Sequence, residues 1–226
     1  MEFAPEQFFD LTGFGHRAIF ADCAEVWEVL RKIGAYVRQN LRPDILGRVE
    51  KGGFVAPDVY IGAGTLVEPF ACVRGPTIIG ANCQIRSGAY IRGDVLIGDN
   101  CIVGNSTELA NTLMLNGAMA AHYNYCADPG SGNDLKLGAG TKLSNWKIAA
   151  DKSIRLKVGD RIVDTGLDKF GAILGDGCAT GCNSVLNPGT VLGKAVMVYA
   201  CAAVRGYVPG NTVVKLRQQL DLAPLA

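Results

Sequence analysis

Residues 55–104 read VAPDVYIGAG TLVEPFACVR GPTIIGANCQ IRSGAYIRGD VLIGDNCIVG, with an aliphatic side chain at every sixth position. The recurrence runs through eleven hexads from Val55 to Leu115, and Ala121 is a smaller twelfth member. A period of six fits neither a helix, which repeats near 3.6, nor the two-residue alternation of a strand. It is typical of a parallel β-helix, in which each hexad supplies one short strand and its turn. The sequence therefore predicts an all-β fold, a parallel β-helix of hexapeptide repeats.

Composition narrows the classes of protein to which the chain can belong. Of 226 residues, 49% are hydrophobic, and 22 basic side chains balance 21 acidic ones. This balance predicts that the chain binds neither a nucleic acid nor a membrane surface. No apolar run reaches the 18 residues of a membrane span. Acidic Glu2, Glu6 and Asp10 stand where a secretory signal has its basic and apolar segments. A cytoplasmic protein is expected.

Eight cysteines raise the question of a metal or disulfides. Cys83, Cys101 and Cys178 fall at the small fifth position of the hexad, where a thiol serves as a compact apolar filler. Cys178 and Cys182 lack the paired spacing of a structural zinc site. We expect no metal and no disulfide framework.

The breaks in the repeat divide the chain. An amphipathic helix over 21–41 is expected to cap an open end of the β-helix, and a hairpin is expected around Gly159-Asp160. The predicted parts are an N-terminal helical cap (1–50), the β-helix (51–208) with a loop (127–136) and a hairpin insertion (149–172), and a tail (209–226).

Residues with useful chemistry collect where the repeat becomes irregular. His122 is one of two histidines, and a neutral imidazole accepts a proton from an amine or hydroxyl near pH 7. Asn145 is a candidate for orienting that imidazole or binding a substrate carbonyl, and Trp146 offers a flat apolar face. Each has a structural alternative, such as an interface or surface residue.

These segments resemble a known family, the left-handed β-helix acyltransferases. The likeness is greatest to the acetyltransferase domain of the bifunctional glucosamine-1-phosphate acetyltransferase/N-acetylglucosamine-1-phosphate uridyltransferases. The matching stretches are Ile91-Arg92, Val103-Gly104-Asn105-Ser106-Thr107-Glu108, Ala121-His122-Tyr123-Asn124-Tyr125, Gly138-Ala139-Gly140-Thr141, Asn145-Trp146 and Lys169-Phe170-Gly171-Ala172-Ile173-Leu174-Gly175-Asp176.

The resemblance implies a left-handed coil, a homotrimer, and transfer of an acetyl or other acyl group from acyl-CoA to the amino group of a phosphorylated or nucleotide-linked sugar. It implies His122 as general base for the attacking amine, and Asn145 as a second catalytic residue that, with Glu108, holds the amino sugar and the acyl group. It assigns Arg92, Glu108, Tyr125 and Lys169 to the sugar. Trp146, Cys182, Lys194 and Arg205 are expected to face the CoA.

Two departures from the family pattern leave other functions open. Ala110 stands where the family has a second phosphate-binding lysine, and Lys136 where it has an asparagine. No Gly-rich nucleotide-binding segment precedes residue 50, so uridyl transfer is not expected of this chain. The alternatives are a non-catalytic trimeric module that binds a sugar phosphate or partners a separate nucleotidyltransferase, and acyl transfer to a hydroxyl.

A coil of eighteen residues predicts which side chains stack. Ala110 should lie over Arg92, with Glu108 within reach of the Arg92 guanidinium. His122 should lie over Gly104, about 13 Å along the sheet from Glu108 at the rise of a strand. Either the two residues act on different ends of a substrate or the site forms between subunits.

Overall fold

The computed structural model describes residues 2–221. Short helices occupy the N-terminal segment, and nearly everything after it is parallel β structure. The helices are an α-helix over Pro5–Phe8, 3₁₀ helices over Arg17–Phe20 and Val26–Arg31, and an α-helix over Ile33–Asn40.

Three parallel sheets form the sides of a prism, and the chain visits them in turn. Sheet A contains Asp44–Ile45, Val59–Ile61, Thr77–Ile79, Val95–Ile97, Leu113–Met114, Gly130–Ser131, Ala172–Leu174, Thr190–Leu192 and Tyr207–Val208. Sheet B contains Arg48–Val49, Leu66–Val67, Gln84–Ile85, Ile102–Asn105, Met119–His122, Lys136–Leu137, Ala179–Thr180, Met197–Val198 and Val213–Val214. Sheet C contains Phe54–Val55, Cys72–Val73, Tyr90–Ile91, Glu108–Ala110, Tyr125–Ala127, Lys142–Leu143, Val185–Leu186 and Ala203–Val204. The predicted parallel β-helix is confirmed.

The predicted hexad frame holds as far as Leu109 and then slips by one residue. Ile79 pairs with Ile97 eighteen residues later, but Ile97 pairs with Met114 after only seventeen. The inward positions are therefore Met114 and Ala120, which belong to the core inside the prism. The prediction of Leu115 and Ala121 for these positions was wrong, because the turn after Leu109 is one residue shorter.

The segment 127–136, predicted as a loop, is a regular part of the coil. Gly130–Ser131 forms a strand of sheet A, paired with Leu113–Met114 on one side and with Ile173 and Leu174 on the other. Its Gly, Pro and Asp residues build corners, and Asp128 and Asp134 have the positive φ of 53° and 54° that tight corners require. Such residues mark turns, and here the turns belong to the repeat.

The N-terminal segment covers a flank of the prism, where a cap over an open end was predicted. Its apolar residues share a cluster with the outward side chains of sheet A, including Trp27, Ile33, Leu96, Leu113 and Ile173. The single helix expected over 21–41 is two helices, a 3₁₀ helix followed by an α-helix. Covering sheet A leaves the outer faces of sheets B and C open.

The insertion carries the predicted hairpin. Arg155–Val158 pairs antiparallel with Arg161–Asp164. Ile154 and Leu156 are buried in the N-terminal cluster, and Arg161 forms an ion pair with Glu2 at 2.5 Å. The hairpin therefore extends the cover over sheet A.

The strands of the coil reach beyond the range 51–208. The first strand lies at Asp44–Ile45 and the last at Val213–Val214, within the segments predicted as cap and tail. The part of the tail from 222 to 226 lies outside the described residues. No helix among residues 2–221 is long and apolar enough to cross a membrane.

Candidate functional site

The outer face of sheet C brings three of the predicted sugar-binding residues together. Glu108 is in register with Tyr90 on one side and Tyr125 on the other. The guanidinium of Arg92 donates from Nη1 to Oε1 of Glu108 at 2.8 Å, as the stacking argument predicted. Both side chains are partly exposed, so the pair contributes only about 0–1 kcal/mol to stability. Together with Tyr125, they form a polar surface that carries one positive and one negative charge.

The charges on this face shift the pKa values of their neighbours. The hydrogen bond that Arg92 donates to Glu108 raises the pKa of Arg92. Burial, with the charge of Glu108 as a second cause, raises the pKa of Tyr125. The Tyr125 hydroxyl is therefore a neutral hydrogen-bond donor throughout the physiological range.

Asn145 lies on the corner between sheets C and A, the C–A corner. Its Nδ2 donates to Oδ2 of Asp128 at 2.5 Å. On the coil below, Nδ2 of Asn111 donates to Oδ1 of the same carboxylate at 2.6 Å. Asn111, Asp128 and Asn145 thus form a ladder of three polar side chains along the corner.

Trp146 and Lys169 lie next to this ladder. The ammonium of Lys152 lies 4.4 Å from the centroid of the half-exposed Trp146 ring, and that of Lys169 lies 5.6 Å from it. A cavity of about 260 Å³ opens beside them, lined by Ser144, Trp146, Lys147, Ile148, Ala149, Asn187, Pro188 and Arg205. Trp146 and Arg205, both predicted for the CoA, therefore share one cavity.

His122 lies on the opposite edge of sheet C, at the corner between sheets B and C, the B–C corner. It is exposed, and it pairs with Asn105. Its backbone N–H donates to Oδ1 of Asn124 at 3.1 Å. Its imidazole forms no hydrogen bond with any other residue in 2–221, so both ring nitrogens are available. Cys182 is exposed on the same corner two coils away.

Lys194 is placed apart from the other predicted residues. It lies on the corner between sheets A and B, the A–B corner, where its Nζ is 3.4 Å from Oδ2 of Asp176. The structure thus separates Lys194 from Trp146 and Arg205.

The predicted residues fall on two edges of one face within a single chain. Six residues separate His122 from Asp128, the position over which Asn145 stacks. At about 3.3 Å per residue this span is up to about 20 Å. His122 and Asn145 of the same chain are therefore too far apart to contact each other.

Asp128 was not predicted as a site residue, because Asp128-Pro129 was assigned to a loop. The usable signal was the shortened coil, since Asp128 precedes Asn145 by seventeen residues. Arg74 was also missed, although it lies in register below Arg92 on the outer face of sheet C.

Comparisons with known proteins agree with this architecture. Residues 76–111 match the family model described as bacterial transferase hexapeptide (six repeats). Over 199 residues the chain is 26% identical to the bifunctional protein GlmU of Methanocaldococcus jannaschii, with 88% of this chain and 48% of the relative covered. The chain resembles the hexapeptide-repeat acyltransferases.

Two further relatives support this resemblance. The bifunctional protein GlmU of Acinetobacter baylyi is 29% identical over 85% of this chain and 40% of its own length. A bifunctional sugar-1-phosphate nucleotidylyltransferase/acetyltransferase of Sulfurisphaera tokodaii is 28% identical over 45% of this chain and 25% of its own length. The chain spans about half or less of the length of these relatives, and their names combine two activities.

Proposed function

We propose that the chain is an acyltransferase that moves an acyl group, most simply acetyl, from acyl-CoA to the amino group of a phosphorylated or nucleotide-linked sugar. The observation that carries this proposal is the layout of the outer face of sheet C. An exposed, unengaged imidazole lies at one edge, and an Arg–Glu–Tyr cluster and an ordered asparagine lie on the rest of the face.

His122 would serve as general base. As the amine nitrogen attacks the thioester carbon, the imidazole takes a proton from it, and a C–N bond forms. Backbone N–H groups at the corner would stabilise the oxyanion of the tetrahedral intermediate. Its collapse breaks the C–S bond, and the departing CoA thiolate receives the proton.

The sugar and the CoA would occupy different parts of the face. Arg92 offers a planar fork of donors to a phosphate, with Glu108 and Tyr125 beside it for sugar hydroxyls, and Lys169 supplies a further cation. The cavity next to Trp146 and Arg205 suits the nucleotide end of CoA, because an aromatic face stacks on adenine and a guanidinium pairs with phosphate. Lys194 lies too far from this cavity to be included.

The active unit would be a homotrimer with sites between subunits. A cyclic assembly joins different edges of neighbouring chains, so the B–C corner of one chain would meet the C–A corner of the next. Exposed aromatic side chains along the B–C corner, Phe70 and Tyr123, suit such a contact. His122 and Asn145 would then come together from two chains.

Thiol release from acetyl-CoA, measured over amino sugars, their phosphates and their nucleotides, tests the reaction. His122→Ala should lower turnover about a hundredfold or more, a usual loss for a general base. His16→Ala is the matched control, because His16 is the other histidine and lies in the N-terminal segment against Tyr36. Equal turnover by His122→Ala and the parent would remove His122 from the mechanism.

Mixed assemblies test the intersubunit site. Coexpressed His122→Ala and Asn145→Ala chains would form about a quarter of their interfaces from two intact edges, because each interface takes one edge from each chain. Activity should therefore reappear in the mixture, although each variant alone is nearly inactive. A mixture as inactive as its components would contradict shared sites.

One observation favours a second function, a non-catalytic module that binds a sugar phosphate or partners a nucleotidyltransferase. Ala110 lies directly over Arg92, where the family resemblance places a lysine, and the Arg92 guanidinium is already paired with Glu108. Binding of sugar phosphates without thiol release, equal in the parent and in His122→Ala, would establish the module.

A further inference from the structure

The carboxylate of Asp128 determines how the side chain of Asn145 is oriented. An ionised carboxylate accepts hydrogen bonds and donates none, and Asp128 accepts one from Nδ2 of Asn145 and one from Nδ2 of Asn111. Either amide, if rotated by 180°, would place its oxygen against the carboxylate. The Nδ2 side of Asn145 must therefore face Asp128.

The opposite side of the same amide is open. Nitrogen and oxygen lie on opposite sides of Cγ, so Oδ1 of Asn145 faces away from Asp128. Among residues 2–221 this oxygen accepts no hydrogen bond, and Asn145 is only partly buried. Asn145 therefore presents an acceptor, not a donor, at this edge of sheet C.

The backbone around this pair is held by the end of the insertion. The N–H of Phe170 donates to the carbonyl of Asn145 at 3.1 Å, and that of Gly171 donates to the carbonyl of Asp128 at 2.9 Å. Phe170 is fully buried. A Cβ at Gly171 would lie 2.2 Å from the carbonyl oxygen of Ala127, so only glycine allows this approach. The pair is preorganised rather than adjusted on binding.

We propose that Asp128 is a positioning residue that makes Asn145 the hydrogen-bond acceptor for the attacking amino group, and so selects amines over hydroxyls. This inference rests on the proposed function. A primary amine has two hydrogens, so it donates one to Oδ1 of Asn145 while the other goes to the base. A hydroxyl has a single hydrogen, which the base takes, and leaves Oδ1 without a partner.

The test compares Asp128→Asn with Asp176→Asn. The control carboxylate of Asp176 similarly accepts from Nδ2 of Asn133, at 2.9 Å on the A–B corner. In Asp128→Asn the carboxylate becomes an amide, whose N–H group donates toward the side chain of either Asn111 or Asn145. That neighbouring side chain can then turn its oxygen toward position 128, so the orientation of Asn145 is no longer fixed. We expect kcat for the amine to fall about tenfold or more, since misorientation acts on the chemical step. The KM for acetyl-CoA should not change, and Asp176→Asn should keep the parent kcat.

A double-mutant cycle separates positioning from general damage to the fold. If Asp128 acts through Asn145, Asp128→Asn lowers kcat in the parent but produces no further loss in an Asn145→Ala background. Equal losses in both backgrounds would indicate a structural role and overturn the inference. So would an unchanged kcat in Asp128→Asn, or equal turnover of the parent with a hydroxyl analogue of the sugar. A parent that turns over no amine overturns the proposed function, and this inference with it.

Discussion

His122 is in register with Asn105, seventeen residues earlier in the chain, and lies one place beyond the position over Gly104. The turn after Leu109 is one residue shorter than those before it, and this moves His122 one place toward the B–C corner, as the last residue of its strand. His122 is exposed at this position. The one-residue change therefore places the candidate base.

Gly104→Ala should disrupt this part of the coil. A Cβ at Gly104 would lie 1.7 Å from the carbonyl oxygen of Ala121, the residue before His122. Relieving this contact displaces backbone, at a cost of about 1–3 kcal/mol, so the Tm should fall by about 2–12 °C. Thermal unfolding checks this, with Gly15→Ala as control because no atom lies within 4 Å of its added Cβ. Equal Tm values for the two variants would contradict the packing argument.

The fold was predictable because its signal is local and repeated. Val55, Ile61 and Val67 all point into the prism, and a period of six is sufficient to identify such a coil. What the period could not show was where the frame slips, since Leu115 is as apolar as Met114 and only the turn length distinguishes them. The position of the N-terminal segment could not be predicted from the sequence either, because an apolar helix face packs equally well on an end or on a flank of the prism.

The candidate site was predictable only where a contact follows from stacking. The Arg92–Glu108 pair came from an eighteen-residue coil that the structure retains at that point. The Asp128–Asn145 bond depends on a seventeen-residue coil, so the same reasoning missed it. Lys194 and Arg205 were both expected to face the CoA, and the structure places them on different corners.

Arg74 should bind the acceptor phosphate together with Arg92. The two arginines occupy the same outward position on adjacent coils, which lie about 4.8 Å apart. Arg74 forms no ion pair among residues 2–221, whereas Arg92 is paired with Glu108. Arg74→Ala should raise the KM for a phosphorylated acceptor about tenfold, the loss of one charge-assisted contact, and leave the KM for the unphosphorylated sugar unchanged.

Kinetics on the two acceptors measure the contribution of Arg74. Arg48→Ala is the matched control, because Arg48 is an exposed arginine of sheet B paired with Glu50. The same change in KM for both acceptors would show that Arg74 does not contact the phosphate.

Trp146 should report CoA binding through its fluorescence. The chain has two tryptophans, and Trp27 is fully buried while Trp146 is 46% exposed. Stacking of adenine on the exposed ring should quench its emission, and Trp146→Ala should raise the KM for acetyl-CoA about tenfold, since base–aromatic stacking contributes about 1–3 kcal/mol. Trp146→Phe retains a face for stacking but should lose the quenching. Quenching that persists in Trp146→Phe would point to another site.

His16 should titrate below the ordinary histidine value of 6.5, because burial beside Tyr36 disfavours its charged form; the nearby Asp99 opposes the shift but does not reverse it. Above 6.5 both folded and unfolded chains carry a neutral His16, so this residue contributes no pH dependence. As the pH falls from 6.5 through the lower folded pKa, the unfolded chain binds the proton more readily, and the free energy of unfolding decreases. His16→Gln should remove this loss.

Proton NMR measures the pKa of His16 directly, since the chain has only two histidines. His122→Ala retains the His16 resonance and His16→Gln removes it, so the assignment needs no further labelling. Thermal unfolding at pH 7.5 and at pH 5.5 then compares the parent with His16→Gln. A His16 midpoint at or above 6.5, or an equal loss of Tm on acidification in the parent and His16→Gln, would show that its burial does not govern its charge. Agreement would mean that the contact of the N-terminal segment with sheet A near Asp99 weakens in acid.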